Sequence, residues 1–184
     1  ELDAERSRIY DLLIENGYYK FNKEYVHFRV DTTLGHHLAD VEMIVKKAQN
    51  EIDSTDYSHH RFHIGNINYE QISDKPFLRP KVLRNATAIG NGQLYRESKM
   101  HETYARMSRL SAVAAANVHV SPRTDGSDTL DVNISLTPNK RNSFSTELEG
   151  TNSAGDLGAA ASITYQNRNL FKGSELFNIK LRGA

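Results

Sequence analysis

Histidine is the residue type with the most obvious capacity for chemistry in this sequence, with eight copies that include His36-His37 and the run His59-His60-Arg61-Phe62-His63. Zinc requires three or four converging ligands, each held by a partner of its own. Adjacent residues on a strand point to opposite faces, so His59 and His60 cannot share an ion there. His101-Glu102 lacks a second histidine four residues after the first, and no other metalloenzyme signature occurs. The histidines are therefore expected on surfaces and connectors, with no metal site. Cysteine is absent, which removes thiolate nucleophiles and disulfides together. The serines lack a Gly-x-Ser-x-Gly elbow. Gly90-Asn-Gly92 has no following lysine and follows a helix instead of a strand, so it reads as a turn and not a phosphate loop. No catalytic residue and no cofactor is expected, and the chain does not read as an enzyme. The enzyme-class rival is a metal-dependent hydrolase using the histidines, which stoichiometric metal in the purified protein would support.

The elements around these residues are short. Twenty-three basic residues balance 23 acidic ones, so no overall basic footprint suggests nucleic acid. No apolar run approaches the roughly 18 residues of a membrane-spanning helix, and no leader-like segment opens the chain. Residues 1–48 read as helix, strand, strand. Asp3 is the expected N-cap, Ile9, Leu12 and Leu13 the buried face, and Gly17 the stop. Val26, Phe28 and Val30 then alternate with Tyr25, His27 and Arg29, and Val41, Met43 and Val45 form the next strand. Residues 49–58 are polar and serve as a connector.

Residues 59–138 read as strand, helix, helix, strand, strand. Phe62, Ile64, Ile67 and Tyr69 mark a strand with a bulge near Gly65. Pro80 opens a helix that Gly90 is expected to close. Met100, Tyr104, Met107 and Leu110 form the stripe of the second helix. Val118 and Val120 mark one strand, and Leu130, Val132, Ile134 and Leu136 the next, joined at Asp125-Gly126. The last three elements repeat those of residues 1–48.

From about residue 142 dyad alternation takes over. Phe144 and Leu148 oppose Ser145, Glu147 and Glu149. Ala159, Ala161, Ile163 and Tyr165 oppose Ala160, Ser162, Thr164 and Gln166, and Phe177, Ile179 and Leu181 oppose Asn178, Lys180 and Arg182. Strands near ten residues long with one apolar face match the pattern of a transmembrane barrel. On alternation alone, an ordinary antiparallel sheet with one wet face is the better reading.

Three segments carry a family resemblance. The element order of 59–138, with Ile89-Gly-Asn-Gly-Gln-Leu-Tyr95 between its helices, resembles the POTRA (polypeptide-transport-associated) module of the Omp85 superfamily. Ile9-Tyr-Asp-Leu-Leu-Ile-Glu-Asn-Gly-Tyr-Tyr19 followed by Val26-His-Phe-Arg-Val30 is similar to the later part of the same module. This copy lacks an opening strand and first helix, so the sequence reads as cut from a longer one. Tyr165-Gln-Asn-Arg-Asn-Leu-Phe-Lys-Gly173 resembles the Asn-Leu-Phe-x-Gly hairpin near the start of such barrels, with Asn169, Leu170, Phe171 and Gly173 as its motif. The segment 109–116 departs from the family, having no Gly-aromatic corner.

The resemblance turns the balance toward an α+β fold of POTRA-like modules, the first partial, leading at 142–184 into antiparallel strands of an incomplete transmembrane β-barrel. It implies an outer-membrane location with the modules in the periplasm, and a role in assembling or translocating outer-membrane or secreted polypeptides. Implied partners are those nascent polypeptides, accessory assembly subunits and, through the barrel, membrane lipid, with no nucleic acid. A small mixed sheet leaves an edge whose unpaired backbone groups can accept an extended chain by β-augmentation. The candidate edges are Asn117, Val118, His119, Val120 and Ser121 in the second module, and Tyr25, His27 and Arg29 in the first. Alternatives are a two-partner secretion exporter and a soluble periplasmic binding or scaffold protein.

Overall fold

A computed structural model describes residues 2–33, 38–49, 56–153 and 156–183. The paired His36-His37 lies outside the described residues. Helix α1 (Leu2–Glu15) buries Ile9 and Ile14, whereas Leu12 is exposed. The buried spacing is thus five residues, one off the face expected from Leu12 and Leu13. Asp3, expected as the N-cap, lies within the first turn and pairs with Arg6 at 3.2 Å. Gly17 ends the helix with φ of 93°, a left-handed conformation that glycine adopts without strain. Its N–H donates to the Ile14 carbonyl, and the Tyr18 N–H to that of Leu13.

A single 3₁₀ turn (Lys23–Tyr25) follows, capped by the Asn22 side chain. Strands β1 (Val26–Asp31) and β2 (Asp40–Val45) form an antiparallel hairpin pairing Val26 with Val45, Phe28 with Met43 and Val30 with Val41. Val30, Val41, Met43 and Val45 are all exposed. The connector expected at 49–58 is partly structured, because β3 (Ala48–Gln49) pairs with β4 (Asp56–Tyr57).

Strand β5 (His63–Gln71), helices α2 (Pro80–Ala86) and α3 (Glu97–Ser108), and strands β6 (Val113–Pro122) and β7 (Thr129–Pro138) follow the predicted order. The sheet order is β5-β7-β6. Hydrogen bonds from the His63 N–H to the Asp128 carbonyl and from the Ile72 N–H to that of Leu136 run with both chains advancing together, so β5 is parallel to β7. Leu130, Val132, Ile134 and Leu136 are wholly buried along the central strand. Helix α2 ends at Ala86, before the glycine expected to close it. The Thr87 hydroxyl returns to the Leu83 carbonyl at 2.8 Å, ending the helix by side-chain competition. On α3 the buried positions are Met100, Thr103 and Met107, while Tyr104 is 49% exposed, so a polar residue replaces the aromatic one in the expected stripe. Thr103 is satisfied there by the Ala88 N–H at 3.0 Å.

The final sheet has the order β10-β9-β8, formed by β8 (Asn142–Ser153), β9 (Asp156–Asn167) and β10 (Phe177–Gly183). By contacts the chain divides into two compact units: Glu1–Ile67, Ile89–Met100 and Val120–Val132 in one, and Asn68–Ala88, His101–His119 and Asn133–Ala184 in the other. Strands β5, β6 and β7 and helix α3 contribute to both. No helix among the described residues is long and apolar enough to cross a membrane, which leaves crossing by strands open.

Candidate functional site: sheet edges and a clamped hairpin

Strand β6 occupies an edge of its sheet. At one end the Asn139 N–H donates to the Ala112 carbonyl, and at the other the Arg123 N–H donates to that of Thr129. These two bonds differ by one residue in register, so β6 carries one extra residue. Ala114 and Ala115 are consecutively exposed, after which Ala116, Val118 and Val120 are the less exposed set. The bulge therefore lies at Ala114–Ala115. Beyond it, Asn117, His119 and Ser121 direct their backbone groups to β7, and Val118 and Val120 direct theirs outward. The Tyr19 hydroxyl donates to the Val120 carbonyl at 3.4 Å, as an outward carbonyl allows.

Strand β1 divides its backbone groups in the same way. The Lys46 N–H donates to the Tyr25 carbonyl at 2.8 Å, which places Tyr25, His27 and Arg29 in the hydrogen-bonded pairs with the β2 side. Val26, Phe28 and Val30 turn their backbone outward, and the Val26 carbonyl accepts from Arg6 Nε at 3.0 Å. Tyr25, expected on the strand, instead ends the 3₁₀ turn, with its ring 5.7 Å from Phe21 and 4.8 Å from His59. Arg29 pairs across the hairpin with Glu42 at 3.0 Å.

The β6–β7 turn is tied to β5 by charge. Arg123 reaches both Asp131 oxygens through Nε and adds Nη2, at 2.9–3.1 Å, while the Asn66 N–H donates to the same carboxylate at 2.7 Å. The Arg123 guanidinium and the Asn66 N–H hold the Asp131 carboxyl below the usual carboxylate range. Gly65 lies against this pair: an added Cβ would approach Asp131 Oδ1 to 2.5 Å. The two bonds that tie β5 to β7 differ by one residue in register, and the less exposed set changes from Phe62 and Ile64 to Ile67 and Tyr69 across Gly65. The expected bulge therefore lies here, and the glycine also serves close approach.

Among the described residues the histidines do not converge. His59 Nε2 lies 2.9 Å from the Lys46 carbonyl, and His60 Nδ1 lies 2.9 Å from Asp128. Among the described residues no group of three or more potential ligands gathers.

The Asn-Leu-Phe-x-Gly segment is a loop held by hydrogen bonds from several elements. Asn169 is buried; its Nδ2 donates to the Phe77 carbonyl at 2.7 Å and its Oδ1 accepts from the Ser174 N–H at 3.1 Å. Lys172 and Ser174 both adopt left-handed backbone, with φ of 59° and 64°, a strain the surrounding bonds hold in place. The Arg79 N–H donates to the Lys172 carbonyl, and Arg79 Nη2 pairs with Glu175 at 3.1 Å. Glu175 also accepts from the Phe171 and Gly173 N–H groups, both at 3.1 Å. Desolvation pushes its carboxyl up, but these N–H groups, its own N–H and Arg79 outweigh it, so the pKa is lowered. A Cβ on Gly173 would meet the Glu175 carboxylate and the Arg79 guanidinium, so a side chain there would have to displace that ion pair. The Ser174 hydroxyl accepts from the Ala112 N–H at 2.9 Å, and the Ser111 hydroxyl lies 2.6 Å from the Ser174 carbonyl. Leu170 and Phe171 project outward.

No protein-family model matches the sequence, and no curated protein does. Solved structures do match in shape. BamA from Haemophilus ducreyi lacking POTRA domains 1–3 aligns with a TM-score of 0.69 at 14% identity, over 99% of this chain and 30% of that one. CdiB from Acinetobacter baumannii aligns with a TM-score of 0.56 at 11% identity, over 93% of this chain and 27% of that one. In fold the chain matches both structures. The chain spans less than a third of the length of either neighbour. The hairpin motif read from the sequence coincides with the clamped loop between β9 and β10. Sequence reasoning missed its partners Ser111, Ser174, Glu175 and Arg79. Ser174 and Glu175 follow the motif directly, whereas Ser111 and Arg79 lie far from it along the chain, and no spacing rule links them.

Proposed function

We propose that this chain is the module-to-barrel portion of an outer-membrane protein assembly or translocation factor, with its α/β elements in the periplasm. In this role the elements dock extended, unfolded outer-membrane or secreted polypeptides by β-augmentation and deliver them to a barrel, which contacts membrane lipid. Accessory subunits would use the same kind of edge, and no catalysis or cofactor is involved. The observation that carries the reading is the outward backbone of Val118 and Val120 on edge strand β6. An extended chain bonding there gains about 0.5–1.5 kcal/mol per main-chain hydrogen bond and needs no particular side-chain sequence. That suits many different clients. The likeness to CdiB keeps a secretion exporter as the second reading.

The test is hydrogen exchange on the purified chain with and without an extended peptide of alternating apolar and polar residues. Protection of the Val118 and Val120 amides on adding peptide supports docking at this edge. Protection confined to other elements sinks it.

A further inference from the structure

The whole-chain charge is zero, yet cations crowd around one end of the final sheet. The clamped loop joins that end of β9 to β10, and the pairing of Asn167 with both Asn142 and Phe177 puts the three strand ends level. Arg141 Nη2 donates to the Leu170 carbonyl at 3.2 Å. Arg168 Nη1 reaches the Lys140 carbonyl at 3.4 Å, and the Arg168 N–H donates to the Arg141 carbonyl. With Arg79 bonded to the Lys172 carbonyl, this gathers Arg79, Lys140, Arg141, Arg168 and Lys172 around the loop. The carboxylate hydrogen-bonded into the cluster, among the described residues, is Glu175.

The neighbouring sheet face supplies the second half of the argument. Phe144 is 74% exposed and lies opposite Tyr165, their rings 4.9 Å apart, and Tyr165 in turn lies opposite Ile179. Farther from the loop the same face carries Ile163, Leu148 and Leu181, all exposed. The apolar face is therefore aromatic at its loop end, and the cations begin where it stops. The loop itself exposes Phe171 (68%). Aromatic rings at the edge of an apolar band, followed at once by cations, are what a bilayer interface demands. Rings tolerate the boundary, and cations meet phosphates beyond it.

We infer that this end of the sheet is a lipid-headgroup contact, in which its cations, Lys140 and Lys172 foremost, engage anionic phospholipids at the bilayer surface. The inference rests on the membrane-spanning reading of β8–β10. Lys140 and Lys172 are the cations whose removal leaves the loop clamp intact, since the clamp uses the Lys172 backbone and the Arg79 side chain. Asparagine suits the left-handed backbone at Lys172.

Flotation of the purified chain with vesicles of phosphatidylcholine alone, and of phosphatidylcholine and phosphatidylglycerol in equal parts, tests it. The unaltered chain is expected to prefer the anionic vesicles, and added salt should weaken that preference. Lys140→Gln/Lys172→Asn should reduce it by about fivefold per charge removed. Lys140→Arg/Lys172→Arg, which keeps both charges, should behave as the unaltered chain. Equal binding of the unaltered chain to both vesicles, or an undiminished preference in the neutralised variant, overturns the headgroup contact and leaves the membrane reading standing. Binding to neither vesicle overturns the membrane reading, and the contact with it.

Discussion

Asp131 is held by the Arg123 guanidinium and the Asn66 N–H, and its folded-state pKa lies below the ordinary carboxylate value. A group depressed in the folded state contributes stability that is full above its unfolded value, about 3.9, and is lost as pH falls through the folded value. Asp131→Asn should therefore lower thermal stability at neutral pH, and the gap from the unaltered chain should narrow below about pH 4. Melting curves across that range check the sign; a gap independent of pH would remove the ionic account. Gly173 makes a second residue-scale prediction. Gly173→Ala must push Glu175 off its N–H partners and Arg79, at a cost of about 1–3 kcal/mol. In a Glu175→Ala background the same substitution should cost much less, and denaturant titrations of the four variants measure this coupling.

At the scale of the element, the register of β6 decides which proline is tolerated. Proline survives in a sheet where the missing donor would face outward. Val118→Pro should thus keep the fold and weaken binding of an extended peptide by about fivefold, the equivalent of one hydrogen bond. Asn117→Pro and His119→Pro each remove a bond to β7 and should lower the unfolding midpoint. His119→Ala, which changes only a side chain, should leave binding unchanged. Should His119→Ala lose binding while folded Val118→Pro keeps it, side-chain recognition replaces augmentation. Helix α3 carries the corresponding packing prediction. Met107 is wholly buried, and Met107→Ala should cost about 2–5 kcal/mol in denaturant unfolding.

Across the whole molecule, β8 and β10 are the edge strands of the final sheet among the described residues, and its apolar side chains face outward. Such a sheet gains stability by closing, by pairing with another copy or by entering an apolar phase. In dilute buffer the chain should self-associate through residues 142–183, and mild detergent should disperse it. Sedimentation as a monomer without detergent, with those amides strongly protected, would contradict this.

What the sequence determined by itself is what local chemistry controls. Period-two alternation placed β7 through β10, because neighbouring strand residues face opposite sides whatever packs against them. Gly17 ended α1 because only glycine takes that backbone without strain. The motif Asn169-Leu-Phe-Lys-Gly173 was legible by its resemblance to a known barrel hairpin. The presence of Thr103 in place of Tyr104 on the buried stripe and the crowding of Gly65 were decided only by tertiary structure. Each depends on a residue distant in sequence: Ala88 lies fifteen residues from Thr103, and Asp131 lies far from the glycine it crowds. The outward facing of Val118 and Val120 belongs to the same class. A one-residue bulge at Ala114–Ala115 reverses which backbone groups of β6 meet β7, and only the pairing of the two strands reveals it.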